Sequence, residues 1–137
     1  MPKDAQQKAD VVRRAFEGFQ RLDMDAFTGD WAPDVVWDVS GYEDWPNDKT
    51  AYHGEAEVIA GFAGYLGSVR RLWVSDLEVT PLTDGRVLAI HHERRVDQHQ
   101  QQSHLDIGTV YEFSEEGKIA RVEVYTGHEK ARKAAGL

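Results

Sequence analysis

Residues 86–98 read RVLAIHHERRVDQ, residues 104–113 read HLDIGTVYEF, and residues 118–125 read KIARVEVY. Each run sets β-branched or aromatic residues in alternation with polar ones. Turn formers separate them: Asp84-Gly85 ahead of the first, a glutamine-rich tip over 98–102, and residues 114–117 ending in Gly117. That pattern predicts strands joined by hairpins. With a further strand over 72–82 they form an antiparallel meander, and the glutamines fit a solvated tip.

Ahead of the meander the apolar period lengthens. Asp4 followed by Gln7 resembles a capping box, and Ala5, Ala9, Val12, Phe16 and Phe19 recur at three or four residue steps, which predicts an amphipathic helix over 4–22. Asp23 caps a short second helix through Phe27. Trp31-Ala32-Pro33-Asp34 then breaks the pattern, and residues 35–40 read as a strand. Residues 41–52, rich in Gly, Pro, Asn and acidic side chains, read as a long exposed loop. Val58, Ile59, Phe62, Tyr65 and Leu66 fit one face of a helix that starts near Gly54 and ends at Gly67. A short helix over 129–135 closes the chain before Gly136. Helices first and long strands afterwards predict an α+β fold, one strongly bent and mainly antiparallel sheet closing over the helices. The 137 residues suit a single domain over 1–137.

Composition narrows the partners. A hydrophobic fraction of 41% with 29% charged residues is that of a folded chain. The net charge of −8 repels phosphates, and basic residues occur in nothing longer than pairs such as Arg94-Arg95, so neither nucleic acid nor an anionic membrane is an expected partner. The absence of cysteine removes disulfides and thiolate chemistry. The polar first residues and the lack of a long apolar run make a cytoplasmic protein the expectation. The histidines offer two-ligand pairs, His91 with Glu93 or His99 with His104, but no third convergent ligand, so neither metal nor cofactor is expected.

The order of elements, with Trp31-Ala32-Pro33-Asp34-Val35-Val36-Trp37, Tyr52-His53-Gly54, Gly117-Lys118-Ile119 and Val122-Glu123-Val124-Tyr125 at these positions, resembles the SnoaL-like branch of the nuclear transport factor 2-like superfamily. The resemblance covers nearly the whole chain. It implies a cone-shaped fold around one pocket for a small apolar molecule, and homodimers are common among its members. The superfamily includes polyketide cyclases, ketosteroid isomerases, epoxide hydrolases, dehydratases and non-catalytic binding domains, so the site has to decide the chemistry.

Val35, Trp37 and Val39 share one face of the first strand, which the resemblance makes the pocket face. In the long hairpin, Val87, Ala89, His91, Glu93, Arg95 and Asp97 form one row and Arg86, Leu88, Ile90, His92, Arg94 and Val96 the other. Both rows mix apolar and charged residues. Either the first lines the pocket while the second packs on another subunit, or the hairpin twists into water past Ile90. The resemblance to limonene epoxide hydrolase places Arg95 and Asp97 on that enzyme's Arg-x-Asp pair. Val124, however, replaces its second acid, and Trp37 and Val39 replace its Tyr and Asn. An Arg–Asp pair alone lacks the acid that chemistry needs. The ketosteroid isomerases' base and acid positions correspond to Val39 and Thr109, and Asp38 points to the opposite face unless a bulge restores it.

The candidate catalytic set is therefore His91, Glu93, Arg95 and Asp97, with Trp37, Tyr52, Leu105, Ile107, Thr109, Tyr111, Val122 and Val124 as candidate ligand contacts. His91 beside Glu93 is the expected proton-transfer pair, the carboxylate raising the basicity of the imidazole; the alternative is a structural histidine satisfied by its surroundings. Trp31 reads as core packing and Trp45 as a lid over the opening. Two functions stay open: a cofactor-independent acid/base enzyme of the isomerase, cyclase or hydrolase kind acting on an apolar cyclic substrate, and a non-catalytic ligand-binding or dimerisation module.

Overall fold

The computed structural model describes residues 3–43, 45 and 49–137, and the backbone alone of Leu66. The elements run α1 (Ala5–Gln20), α2 (Met24–Thr28), β1 (Trp31–Gly41), β2 (Ala51–His53), α3 (Gly54–Ser68), β3 (Val69–Pro81), β4 (Val87–Asp97), β5 (Gln102–Phe113), β6 (Ile119–Thr126) and α4 (His128–Ala134). The capping box forms: Gln7 N donates to the Asp4 carboxylate at 2.8 Å, and Asp4 N donates to Gln7 Oε1 at 2.9 Å. Such a cap contributes about 1 kcal/mol. Asp23 caps α2 in the same way through Ala26 N.

Six strands form one curled sheet in the order β2-β1-β6-β5-β4-β3. The meander from β3 to β6 is antiparallel as expected, and β1 joins it by pairing in parallel with β6, Trp37 opposite Val122. Between Trp31 and Val36 the β1–β6 register slips, so Pro33, which has no N–H to offer, sits where the ladder is interrupted. Bending is concentrated in β3, where the pairing with β4 shifts twice and Asp76 adopts φ 56°.

The concave face closes on α1, α2 and α3. Val12 and Phe16 of α1, Phe27 of α2, and Val58, Phe62 and Tyr65 of α3 pack with Val35, Trp37 and Val39 of β1 and with Val87 and Ala89 of β4. Trp31 is buried against Phe27, at 4.9 Å between ring centres, in the corner role read for it.

Three expectations change. Ile59 is not on the buried face of α3; it is 40% exposed, because it lies about a hundred degrees around the helix from Val58. Residues 51 and 52 are not loop: Ala51 and Tyr52, followed by His53, pair with Asp38, Trp37 and Val36 as β2. Of the rest of that stretch, Asp44, Pro46, Asn47 and Asp48 lie outside the described residues, as does the side chain of Leu66.

The third change concerns the outer face of β4. Leu88 and Ile90, with Val110 of β5, are covered by Ala131 and Ala135 at the C-terminal end of the chain, so no second subunit is needed over them. Gly108 makes this possible. A Cβ there would stand 2.1 Å from that of Ala131. Gly108→Ala is expected to push α4 off the sheet and cost about 1–3 kcal/mol in urea unfolding; an unchanged midpoint would show that α4 does not bear on this strand.

Candidate active site

The β4–β5 pairing runs without a shift from Val87 opposite Tyr111 to Val96 opposite Gln102. Strand alternation therefore holds along β4, and Val87, Ala89, His91 and Glu93 all turn inward. The hairpin does not twist into water at Ile90: Glu93 is 1% exposed and His91 2% exposed. Only beyond Glu93 does the row leave the interior. Ile107, Thr109 and Tyr111 of β5, Val122 and Val124 of β6, and Trp37 and Val39 of β1 complete the sheet side of one cavity. Phe16, Phe19, Phe27 and Tyr65 close it from the helices, and Tyr42 and Trp45 from the segment after β1. The cavity measures about 40 Å³, against roughly 150 Å³ for an apolar cavity that takes up benzene. It has room for water but not for a ring, which enters only if the walls part.

Among the described residues Glu93 is the one acid in this wall. Its Oε2 accepts the Tyr42 hydroxyl at 2.9 Å, and that hydroxyl oxygen accepts from Arg95 Nη1, also at 2.9 Å. Arg95, Tyr42 and Glu93 thus form a chain from the half-buried guanidinium to the buried carboxyl. Burial raises the Glu93 pKa above its usual 4.5, while the Tyr42 hydrogen bond and the Arg95 charge pull against that rise. Burial and the neighbouring Glu93 push the Tyr42 and Tyr65 phenols far up. Tyr65 OH lies near Glu93, Arg95 and Tyr42 but makes no hydrogen bond of good geometry among the described residues.

His91 is also buried without a partner: neither Nδ1 nor Nε2 makes a hydrogen bond among the described residues, and the Phe16 ring stands edge-on 4.9 Å away. Burial first, then His128 and His92, push its pKa down from 6.5 to about 3. The expected pair is therefore corrected. His91 and Glu93 share a wall but no hydrogen bond, and the imidazole is less basic than usual, because desolvation outweighs the pull of the Asp106 carboxylate.

The other candidates separate. Trp37, Ile107, Thr109, Tyr111, Val122 and Val124 line the cavity. Leu105 packs, half-buried, on the core beside it, and Tyr52 stands behind Trp37 with ring centres 5.3 Å apart. Trp45 does cover the cavity, stacked on Tyr65 at 5.4 Å and donating Nε1–H to Tyr52 OH at 3.1 Å. Asp97 is outside it: its carboxylate accepts from His99 N and Gln101 N and shapes the hairpin turn. Asp38 faces outward, 3.3 Å from Arg121: residues 36–38 keep regular register with β6, and the shifts of β1 on either side of them do not bring it in. Tyr42 and Tyr65 are the site residues that sequence reasoning missed. Tyr65 carried a signal, a phenol on an apolar helix face that needs a partner when buried; Tyr42, inside a polar stretch, carried none. Among the described residues no group of three or more His, Asp or Glu side chains is placed to hold a metal ion, and no helix is long and apolar enough to cross a membrane.

The sequence profile of the SnoaL-like domain matches residues 12–122. No curated protein matches the chain. Among solved structures, a candidate polyketide cyclase from Xanthomonas campestris pv. campestris superimposes with a TM-score of 0.77 at 24% identity, covering 97% of this chain and 99% of its own. A nuclear transport factor 2-like protein of unknown function from Burkholderia pseudomallei K96243 gives 0.75 at 21% identity, covering 95% and 98%. The epoxide hydrolase/cyclase-like enzyme SalBIII, described in pyran ring formation in the polyether salinomycin, gives 0.68 at 19% identity, covering 92% and 95%. At these identities the likeness establishes the fold.

The two buried groups set opposite pH dependences. Below its ordinary 6.5, His91 in the unfolded chain takes up a proton that the folded imidazole refuses until about pH 3, so stability falls as pH drops through that window, by at most about 1.4 kcal/mol per unit. Glu93 keeps its proton in the folded state above 4.5, where the unfolded chain has released it, so stability falls as pH rises from there. His91→Leu should flatten the acid limb, and Glu93→Gln should stabilise the protein at pH 8 and leave it unchanged at pH 4. Urea unfolding at pH 4, 6 and 8 checks both, and unaltered slopes would refute the burial argument.

Proposed function

The chain belongs to the SnoaL-like domain family, and from that premise we propose that it is a cofactor-independent acid/base enzyme of the isomerase, cyclase or hydrolase kind, acting on an apolar cyclic substrate. One observation carries this reading: in a cavity walled mainly by aromatic and aliphatic side chains, an acid and an imidazole are both buried, and the imidazole's nitrogens make no hydrogen bond among the described residues. Unsatisfied buried polar atoms are costly, and a substrate oxygen would relieve the cost.

The roles follow from the environments. Glu93 handles the proton, since burial brings its pKa towards the working pH and Tyr42 fixes its orientation. His91, neutral at physiological pH, donates one ring N–H to a substrate carbonyl. Glu93 as carboxylate takes a proton from the carbon beside that carbonyl, the C–H electrons form the C=C bond, and the carbonyl oxygen takes the negative charge against His91. Return of the same proton from Glu93 to another carbon completes an isomerisation; attack of the enolate carbon on a second carbonyl, whose oxygen takes the carbonyl π electrons and then the proton held by Glu93, completes a cyclisation. Neither outcome involves net oxidation, so no redox partner enters the balance. Epoxide hydrolysis fits less well, because Asp97 lies outside the cavity and Val124 stands where a second acid is needed.

A homodimer belongs to the same proposal, using the outer sheet surface that α4 leaves uncovered, where Arg94 stacks over Trp73 at 3.9 Å. Native mass spectrometry should show two chains, and a bare single chain would refute it. A non-catalytic binding module is the second reading, favoured by the weak basicity of His91. Exchange decides between them. Enolisable bicyclic ketones such as 2-tetralone, incubated in D2O and followed by mass spectrometry, are expected to gain deuterium faster with the protein. Glu93→Gln should lose that acceleration by roughly 10²–10⁴-fold with its circular dichroism intact. Binding of the ketones without exchange would establish the second reading.

A further inference from the structure

The proton transfer proposed above makes no direct use of Arg95, the remaining half of the Arg-x-Asp motif. Its guanidinium is half-buried, donates one side-chain hydrogen bond, to Tyr42, and takes part in no ion pair among the described residues. The negative group that shares its chain of contacts, Glu93, is drawn by burial towards its neutral form. Asp97, two residues on, spends its carboxylate on the backbone N–H groups of His99 and Gln101. Beside the guanidinium, the Tyr65 hydroxyl is buried in the cavity wall and, although Glu93 and Tyr42 also neighbour it, makes no hydrogen bond of good geometry among the described residues.

Among the described residues, a cation outside any ion pair therefore stands behind a hydroxyl that sits at one corner of the cavity wall and makes no hydrogen bond of good geometry. Each is unfavourable alone: the hydroxyl costs about 1–3 kcal/mol by desolvation, and a partly desolvated guanidinium adds its own penalty. One oxygen anion removes both costs. We infer that this corner is an oxyanion-binding site, formed by the Tyr65 hydroxyl with the Arg95 guanidinium behind it, and that the ligand is an apolar ring bearing a carboxylate or an acidic enol. The inference rests on the reading of the cavity as a site for an apolar ring, and does not need Glu93 to transfer a proton. The net charge of −8 works against any anion, so a measured preference for one has to arise locally. Arg95 also borders an open groove with Ser68 and Ser103, where water is the competing partner for its N–H groups.

A matched pair of probes isolates the charge. 2-Naphthoate and 2-naphthamide share a ring and nearly a shape and differ in charge at neutral pH. By titration calorimetry the protein is expected to bind the naphthoate roughly 10- to 100-fold more tightly, the range of a hydrogen bond to a charged group. Arg95→Gln should abolish the preference, Arg95→Lys should restore part of it, and Tyr65→Phe should reduce it with the fold intact. Asp97→Asn should leave it unchanged. Equal affinities for the two probes, or a preference that survives in Arg95→Gln, would overturn the anion site and leave the apolar-ring reading standing. Failure of both probes to bind would remove the two together. The deuterium-exchange result bears on neither outcome.

Discussion

Unbroken pairing between β4 and β5 is the constraint from which the cavity's chemistry follows. Side chains on a strand change face with every residue, so one extra residue between Val87 and Glu93 would exchange His91 and Glu93 for His92 and Arg94. The fold meets its need for curvature elsewhere. The register shifts of β3 and of β1 bend the sheet at strands that contribute little or no polar chemistry, and the strand that carries the imidazole and the carboxyl stays regular. Closure of the sheet over the helices and aim of the polar groups are thus handled by different strands.

The site is expensive to fold. Glu93, His91 and the Tyr65 hydroxyl are all withdrawn from water, and of the three only Glu93 makes a hydrogen bond of good geometry among the described residues. The compensation lies around them, in the aromatic packing of Phe16, Phe27, Trp37 and Phe62 on the concave face. Groups that oppose folding and serve no packing purpose are the ones expected at a functional site, since real chains depart from local consistency there and recover stability in the surrounding core.

Much of the fold was legible because local rules agreed with one another. Asp4 with Gln7, the 3.6-residue period of α1, and the alternation in β4, β5 and β6 each pointed to the element that forms. Long-range pairing was less legible: Ala51–His53 becomes a strand only because β1 offers an edge, and the outer residues Leu88 and Ile90 looked available for a partner because nothing local announces that α4 folds back onto Gly108. In the site, strand parity correctly grouped His91 with Glu93, but parity carries no information about solvation. The depressed basicity of His91 comes first from burial, to which the Phe16 ring of α1, distant in sequence, contributes. Tyr42 becomes legible only once the end of β1 is seen to approach β4 across a separation of 51 residues.

The size of the cavity has a thermodynamic corollary. A space of about 40 Å³ admits no ring, so any ring-sized ligand binds a minor, more open arrangement of the same walls, and its observed affinity is the intrinsic affinity scaled down by the fraction of molecules that are open. Substitutions that loosen the packing between Trp45 and Tyr65 would then tighten binding without adding a contact. Ligand concentration, in turn, would act on the protein as a stabiliser of its open form, so that the native ensemble is shaped by what the cell supplies as much as by the chain itself.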